Sequence, residues 1–204
     1  MEIKFIPLDY DYFDYQGRNY VKIIGRDEKG KKTCIIDSCP VYLWAVLKQR
    51  TSIKKISKII KKISKIQLES KGRTTRVEKV ELLNKNFLGK EVQALKIHAT
   101  NYKDLHEIAS HIDYPEVEKR RGYDLGYITH YIIEKKLDPL KWYSITGEVL
   151  NNSFEFGGID SKIDVDLCLK VNKLKQIKEQ KFIPNAIAYD IETDSLKIGE
   201  GEIL

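Results

Sequence analysis

Two carboxylates near the end of an apolar segment are the residues whose types and spacing best suit catalysis. Asp190 and Glu192 lie in the sequence Ile187-Ala188-Tyr189-Asp190-Ile191-Glu192-Thr193. On a strand, side chains two residues apart face the same way, so both carboxylates would project together. Carboxylate oxygens bind hard cations such as Mg²⁺, and a pair of such ions can promote phosphodiester hydrolysis. That site would need a further ligand, and the alternative is that both residues end a strand facing solvent.

A lysine-rich segment is the second candidate. Residues 48–65 have isoleucines at every third or fourth position, which predicts an amphipathic helix. The basic residues of this segment are Lys48, Arg50, Lys54, Lys55, Lys58, Lys61, Lys62 and Lys65, with no acidic residue among them. A face of this kind can follow a nucleic-acid backbone, and the residues that we assign to that contact are Lys54, Lys58, Lys61 and Lys62. The alternative is a solvated lysine face over an isoleucine core stripe.

Aromatic side chains are concentrated near the amino terminus. Tyr10, Tyr12, Tyr15 and Tyr20, with Tyr42 further along, could stack on nucleic-acid bases. In short strands, aromatic residues are more often cross-strand packing pairs. The sequence has no P-loop, no dinucleotide-binding motif, no serine nucleophile motif and no histidine spacing typical of a metal site.

The composition is that of an ordinary globular protein. The 204 residues carry 36 Lys+Arg against 30 Asp+Glu, a net charge of +6, and 42% of them are hydrophobic. These values exclude wholesale disorder, and no apolar run approaches the ~18–20 residues that span a bilayer. The sequence has no signal segment, and its three cysteines are too few for a disulfide framework. We therefore expect a cytoplasmic, soluble protein with one large or two small domains.

The amino-terminal residues predict a β-meander, and the next eighty predict a mixed module. A tyrosine-rich strand ends at Gln16-Gly17-Arg18, Tyr20–Ile24 returns, and Lys32–Asp37 is the third strand. From residue 41 the patterns give a strand, a helix, two strands, a helix and a strand, which is the ferredoxin-like β-α-β-β-α-β order. Those segments are Val41–Leu47, Thr51–Lys65, Arg76–Leu83, Glu91–His98, Tyr102–Ile112 and a strand that Pro115 opens.

A change of pattern after residue 136 predicts a domain boundary. A helix is expected from Asp124 to Lys136, where Asp138-Pro139 breaks it. Strands are then expected at Trp142–Thr146 and Ile163–Leu169. The fold class is therefore α+β, with one domain over residues 1–136 and a second over residues 137–204.

Several short segments resemble landmarks of family B DNA polymerases, in particular the archaeal replicative type. Ala188–Thr193 resembles the first exonuclease motif of that family. Other segments resemble its amino-terminal landmarks in the same order and at similar spacing: Asp9–Tyr12, Tyr42–Leu47, Phe87–Lys90 and Tyr123–Leu125. Lys141–Tyr143 and Gly147 resemble the start of its exonuclease domain. Together they extend over nearly the whole chain.

The resemblance implies a fold and a chemistry for each part. Residues 1–136 would be the amino-terminal, template-handling domain with its ferredoxin-like module. Residues 137–204 would begin a 3′→5′ exonuclease domain with a ribonuclease H-like sheet, incomplete at Leu204. Asp190 and Glu192 would be catalytic residues and ligands of two Mg²⁺ ions, which the fragment alone is not expected to bind.

The resemblance also implies a template-base pocket. Archaeal members capture template uracil in the amino-terminal domain, and the residues that match this pocket are Tyr12, Val41, Tyr42, Leu105, Gly126 and Tyr127. Val41 and Gly126 stand where prolines are expected. Leu105 replaces a smaller valine, which would tend to fill the pocket.

The implied function is that of the amino-terminal fragment of a DNA-directed DNA polymerase with 3′→5′ proofreading, active in DNA replication. Its partners would be primer–template DNA, the rest of the polymerase on the same chain or in a split subunit, and a sliding clamp bound through the absent part. Because the remaining catalytic motifs would follow Leu204, we expect the fragment alone to be inactive. The alternative is a stand-alone single-stranded nucleic-acid-binding module that uses the basic helix at residues 48–65.

Overall fold

The computed structural model describes residues 1–151, 154–178 and 187, and this part is mostly strands with a few short helices. The strands and α-helices in chain order are β1 (Glu2–Tyr15), β2 (Arg18–Asp27), β3 (Lys32–Asp37), β4 (Val41–Leu47), α1 (Ile53–Ile63), β5 (Gln67–Ser70), β6 (Arg73–Phe87), β7 (Lys90–Ala99), α2 (Leu105–His111), β8 (Val117–Arg121), α3 (Tyr127–Lys135), β9 (Tyr143–Val149) and β10 (Leu167–Gln176). Within these residues, none of the helices has the length and apolar character required to cross a membrane.

Five strands form a closed barrel in the order β1-β2-β3-β10-β9. The pairs β1–β2 and β2–β3 are antiparallel, which confirms the predicted amino-terminal meander. Strand β10 pairs in parallel with β3 and antiparallel with β9, and β9 pairs with the start of β1. The barrel is filled by alternating apolar residues, because period-two alternation directs every second side chain inward. They include Ile3, Phe5, Val21, Ile23, Ile35, Tyr143, Ile145 and Leu169.

This barrel joins segments on both sides of the boundary that the sequence predicts near residue 136. Strands β9 and β10 follow that position, yet both pair with the amino-terminal meander. The sequence pattern predicts instead that the segments containing them belong to the sheet of a second domain. Closure occurs because β1 and β3 each have a free edge, and pairing with β9 and β10 satisfies their backbone groups.

The second sheet has the order β5-β6-β7-β4-β8. Its strands β6, β7, β4 and β8 are antiparallel neighbours, and the helices α1 and α2 connect β4 to the β5–β6 hairpin and β7 to β8. The order of strands and α-helices in this region is β4-α1-β5-β6-β7-α2-β8, in which β5 is a short strand that the sequence pattern does not predict. Both helices contribute to the buried core beneath the sheet: Ile56, Ile59, Ile63, Leu105, Ile108 and Ala109.

Three hairpins have the same two-residue turn chemistry. The turns are Gln16-Gly17, Lys71-Gly72 and Leu88-Gly89, and both residues of each have positive φ. Positive φ at both positions is typical of type I′ turns, whose twist matches that of the flanking strands. Because the Leu88-Gly89 turn is this tight, β6 and β7 extend beyond the strands predicted from the sequence, as far as the pair Phe87–Lys90.

Gly147 lies at a close approach of β9 to the backbone of β10. Gly147 is paired with Val171 across the β9–β10 ladder, next to a register shift in β10. A Cβ at Gly147 would lie 2.3 Å from the backbone oxygen of Lys170, so the strands would have to separate. The Gly147 N–H also donates to the Met1 carbonyl at 2.9 Å, which ties this point to the amino terminus.

We expect Gly147→Ala to lower the free energy of unfolding by about 3 kcal/mol, because the added methyl group meets backbone and not a movable side chain. Gly126→Ala is the matched control. A Cβ there meets no atom within 4 Å, so the cost should stay below about 1 kcal/mol. Urea unfolding of both variants measures the difference. Equal stability of the two variants would contradict the close approach of β9 and β10.

Candidate nucleic-acid interface

Three tyrosines from different elements meet between the barrel and the sheet. Tyr12 on β1 lies edge-on to Tyr102 at a centroid distance of 5.3 Å and to Tyr127 at 6.0 Å. Tyr102 and Tyr127 are stacked at 5.5 Å. The Tyr102 hydroxyl donates to the Tyr12 hydroxyl at 2.8 Å. The rings therefore pack mainly on one another, in agreement with the packing alternative for the amino-terminal tyrosines.

Two buried asparagines join this cluster to the surrounding backbone. The Asn19 side chain accepts from the Tyr102 N–H at 2.7 Å and donates to Asp14 at 2.6 Å. The Asn101 side chain donates to the Gly17 carbonyl at 3.1 Å. The Tyr127 hydroxyl donates to the Asn19 carbonyl at 2.8 Å. Because buried amides are costly unless hydrogen-bonded, this network holds the β1–β2 hairpin firmly against α2 and α3.

The residues matched to a template-base pocket do not all share one environment. Tyr12 and Tyr127 are in contact, and Leu105, the first residue of α2, is fully buried in the core. Val41 belongs to the same core and also lines a cavity of about 90 Å³ between β2 and β7. Gly126 is exposed at the start of α3. Tyr102, which the sequence does not identify, contacts both Tyr12 and Tyr127, and no spacing rule connects it to them.

Tyr42 belongs to a different aromatic group. Its ring lies 4.5 Å from that of His130, and its hydroxyl donates to Glu134 at 2.8 Å. The Lys96 ammonium group lies 3.7 Å from the Tyr42 ring centroid. Burial and the neighbouring Glu134 carboxylate raise the pKa of Tyr42 above its ordinary value, so its hydroxyl stays protonated at neutral pH.

Helix α1 has the two faces that its sequence predicts. Ile56, Ile59 and Ile63 are buried, whereas Lys54, Lys58, Lys61 and Lys62 are exposed. Lys55 pairs with Glu116 at 3.4 Å, and the Lys62 ammonium group lies 5.5 Å from the Tyr114 ring centroid. Lys54, Lys58 and Lys61 are spaced by four and three residues, so they share one exposed face of the helix. The helix therefore presents a continuous positive surface. This surface is compatible with a contact to a nucleic-acid backbone and equally with a face that is simply solvated.

A buried ion pair fixes the turn that precedes α2. Arg73 donates to both carboxylate oxygens of Asp104, at 3.0 and 2.8 Å, and Thr75 donates to the same carboxylate. Burial alone would raise the pKa of Asp104. The hydrogen bonds from Arg73 and Thr75 outweigh burial, so the pKa lies below its usual value.

We expect Asp104→Asn to lower the free energy of unfolding at pH 7 by about 3 kcal/mol, because it leaves the Arg73 charge largely buried without its main partner. The depressed pKa sets the pH dependence. The Arg73–Asp104 pair contributes fully to the free energy of unfolding at pH values above the unfolded pKa of Asp104, about 3.9. This contribution is lost as the pH falls through the lower pKa that Asp104 has in the folded chain. The loss of stability caused by Asp104→Asn should therefore be smaller in acid than at pH 7. Urea unfolding at pH 7 and pH 3 tests this, with Glu78→Gln in the exposed Arg18–Glu78 pair as control. A similar cost for both variants at pH 7 would contradict the expected role.

Asp190 and Glu192 lie outside the described residues, so the arrangement of the two carboxylates remains a sequence prediction. In the part of the chain that the structure describes, no three histidine, cysteine, aspartate or glutamate side chains come together as a metal site. All three cysteines are buried and free.

Comparison with known proteins gives a consistent set of relatives. The family model for the exonuclease domain of DNA polymerase family B matches residues 118–199. A DNA polymerase of Desulfurococcus is 30% identical over 136 residues, which is 66% of this chain and 17% of that protein. A DNA polymerase of Thermococcus gorgonarius is 28% identical over 135 residues, again 66% of this chain and 17% of the relative.

A solved structure shares the fold. The family B DNA polymerase from the hyperthermophilic archaeon Pyrobaculum calidifontis superimposes with a TM-score of 0.66 at 19% identity. The superposition covers 93% of this chain and 22% of the polymerase chain. The chain thus corresponds to about a fifth or less of the proteins that it resembles.

Proposed function

We propose that this chain, which is related in sequence and fold to the amino-terminal part of archaeal family B DNA polymerases, forms the template-handling region and the beginning of the exonuclease domain of such an enzyme. The observation that supports this proposal most directly is that relatives matched over 66% of the chain are named DNA polymerases. The structural likeness adds the same fold over 93% of the chain. The longer protein would catalyse template-directed nucleotide transfer and 3′→5′ proofreading in DNA replication, in the cytoplasm.

The finer assignment of the fold is part of this proposal. We assign residues 41–121 to a ferredoxin-like module, which the spatial order β6-β7-β4-β8 and the two connecting helices support. Because β9 and β10 complete the barrel, we place the end of the amino-terminal domain after Gln176 and not near residue 136. The ribonuclease H-like exonuclease sheet would then begin in the segment that contains Asp190 and Glu192.

The proposed exonuclease chemistry rests on carboxylates. Asp190 and Glu192 would hold Mg²⁺ through oxygen, the ligand type that this cation prefers. Bound Mg²⁺ supplies a metal-activated water and neutralises charge at the scissile phosphate. The two side chains would orient the 3′-terminal phosphodiester through that binding, and further ligands would come from beyond Leu204.

We propose that the site matched to a template-base pocket has little free space in this chain. Tyr12, Tyr102 and Tyr127 pack directly on one another, and Leu105 is buried in the same apolar core. A pocket that selects bases by shape tolerates such filling poorly. We therefore propose that template bases pass this region without uracil capture.

The coding sequence downstream of Leu204 tests the proposal. A polymerase requires further aspartate-bearing exonuclease motifs and a polymerase active site, in the same frame or in a partner gene. Their absence from both would overturn it. The exposed lysines of α1 support the second candidate, a stand-alone single-stranded nucleic-acid-binding module. In that case, Lys54→Glu with Lys58→Glu and Lys61→Glu should abolish salt-sensitive binding by the chain itself.

A further inference from the structure

The outer face of the five-stranded sheet, opposite the helices α1 and α2, combines aromatic and basic side chains. Residues directly opposite in antiparallel strands share a face. Trp44 on β4 is opposite Lys96 on β7 and Arg121 on β8. The neighbouring positions Leu43 and Ala45 instead belong to the buried core shared with the helices.

The Tyr42 end of this face is covered by His130 and Glu134 of α3. Around Trp44 the face is open to a partner, because Lys85 and Arg121 are exposed and Trp44 is half-buried.

A recess lies in the middle of this outer face. It has a volume of about 230 Å³, with Trp44 and Phe87 among its lining residues. The small, buried side chains of Val46 and Ala94 also line it and leave it apolar at depth. An apolar slot between aromatic rings fits the flat face of an unpaired nucleobase.

Cations surround both aromatic rings of the recess. The ammonium groups of Lys85 and Lys96 lie 5.4 and 5.8 Å from the Trp44 ring centroid. Lys119 and Arg121 lie 5.7 and 5.8 Å from that of Phe87. Long, flexible lysine side chains can swing from a ring to a phosphate at little cost.

The charge of this face is not neutralised by acids. Among the described residues, no carboxylate forms an ion pair with any of the four cations around the recess. Glu81 is the acidic residue on this face of β6, and it is already held by Lys79 at 2.7 Å and His98 at 2.8 Å. An anionic chain with regularly spaced charges would complement the surface.

We propose that this outer sheet face binds single-stranded nucleic acid, with bases stacked on Trp44 and Phe87. The phosphates would contact Lys85, Lys96, Lys119 and Arg121. Single strands are favoured over duplexes because stacking on protein rings requires exposed base faces. The site lies on the opposite side of the sheet from α1, and its binding of nucleic acid does not depend on the proposed polymerase activity.

The test is a binding titration of the 204-residue chain with fluorescein-labelled oligothymidine of about 12 nucleotides at low salt. Trp44→Ala, and separately Lys85→Glu with Arg121→Glu, should each weaken binding by about tenfold or more. The matched control is Lys29→Glu with Lys31→Glu in the exposed turn between β2 and β3, which changes the net charge equally. It should weaken binding far less than the sheet-face pair, because screening limits distant charge effects.

Two further measurements test whether base stacking is responsible for the binding. Trp44→Phe keeps an aromatic face and should retain most of the binding, which separates stacking from misfolding. An abasic strand of the same length should bind markedly less tightly than oligothymidine. The proposal is overturned if the chain does not bind at low salt, if duplex DNA or an acidic peptide binds more tightly, or if Trp44→Ala binds like the unmodified chain. Absence of polymerase activity in the longer protein would leave each of these results unchanged.

Discussion

Replacing Asp190 and Glu192 with alanine in the longer polymerase is expected to reduce 3′→5′ degradation of a mispaired primer by about three orders of magnitude. The loss follows because metal-assisted hydrolysis gains several kcal/mol from correctly held ions, and each 1.36 kcal/mol corresponds to a tenfold change in rate. Primer extension should continue, because a polymerase active site would be built from residues beyond Leu204. Release of a labelled 3′-terminal nucleotide, followed alongside extension of the same primer, measures both activities.

Asp113→Ala is the matched control for this substitution, because Asp113 is an exposed carboxylate remote in sequence from the proposed exonuclease motif. It should leave both activities unchanged. If the Asp190 and Glu192 variant retained degradation, the two residues would not be the exonuclease carboxylates. Parallel loss of extension and degradation would instead indicate a defect in folding or in DNA binding.

A chain that ends at Lys136 is expected to fail to unfold cooperatively, whereas a chain that ends at Lys178 should fold. The shorter chain lacks β9 and β10, two of the five barrel strands. It therefore loses Tyr143, Ile145 and Leu169, which are at most 2% exposed in the intact barrel. Burial of three such side chains stabilises a domain by about 5 kcal/mol or more, comparable with the whole free energy of unfolding of many domains.

Urea denaturation, followed by circular dichroism, compares the two truncated chains directly. The chain that ends at Lys178 should show a single steep unfolding transition. The shorter one should show a broad, non-cooperative change and should expose apolar barrel residues such as Val21 and Ile35. Equal cooperativity and midpoint in both chains would restore a boundary near residue 136.

Local patterns predict most of the elements. Ile56, Ile59 and Ile63 are spaced by three and then four residues, and this helical spacing is enough to identify α1 and its buried face. The predicted third strand of the meander, Lys32–Asp37, has the same limits in the structure. These features depend on residues that are close in sequence, so a single segment contains the necessary information.

Non-local pairing is the main feature that the sequence does not reveal. The alternation of Ile163–Leu169 suggests a strand there, but the strand begins at Leu167 and continues to Gln176. Its partner is β3, more than a hundred residues earlier, and nothing in either segment specifies that parallel register. The same limit applies to Tyr102, which meets Tyr12 and Tyr127 only through the packing of three separate elements.

The two candidate binding surfaces also differ in how far the sequence predicts them. The lysine face of α1 is visible from helical spacing alone. The basic and aromatic face around Trp44 requires the sheet order, because β4, β6, β7 and β8 each contribute only one or two of its residues. Alternation within a strand shows that two faces differ, but only the topology shows which face the helices cover.

The most direct test of the central claim is primer extension by the protein that the complete reading frame encodes, together with its partner subunit if the gene is split. We expect this protein to add deoxynucleotides to a primed template in a template-directed manner and to degrade a mispaired 3′ end. A folded, DNA-binding product that neither extends nor degrades the primer would contradict the assignment of this chain to a DNA polymerase.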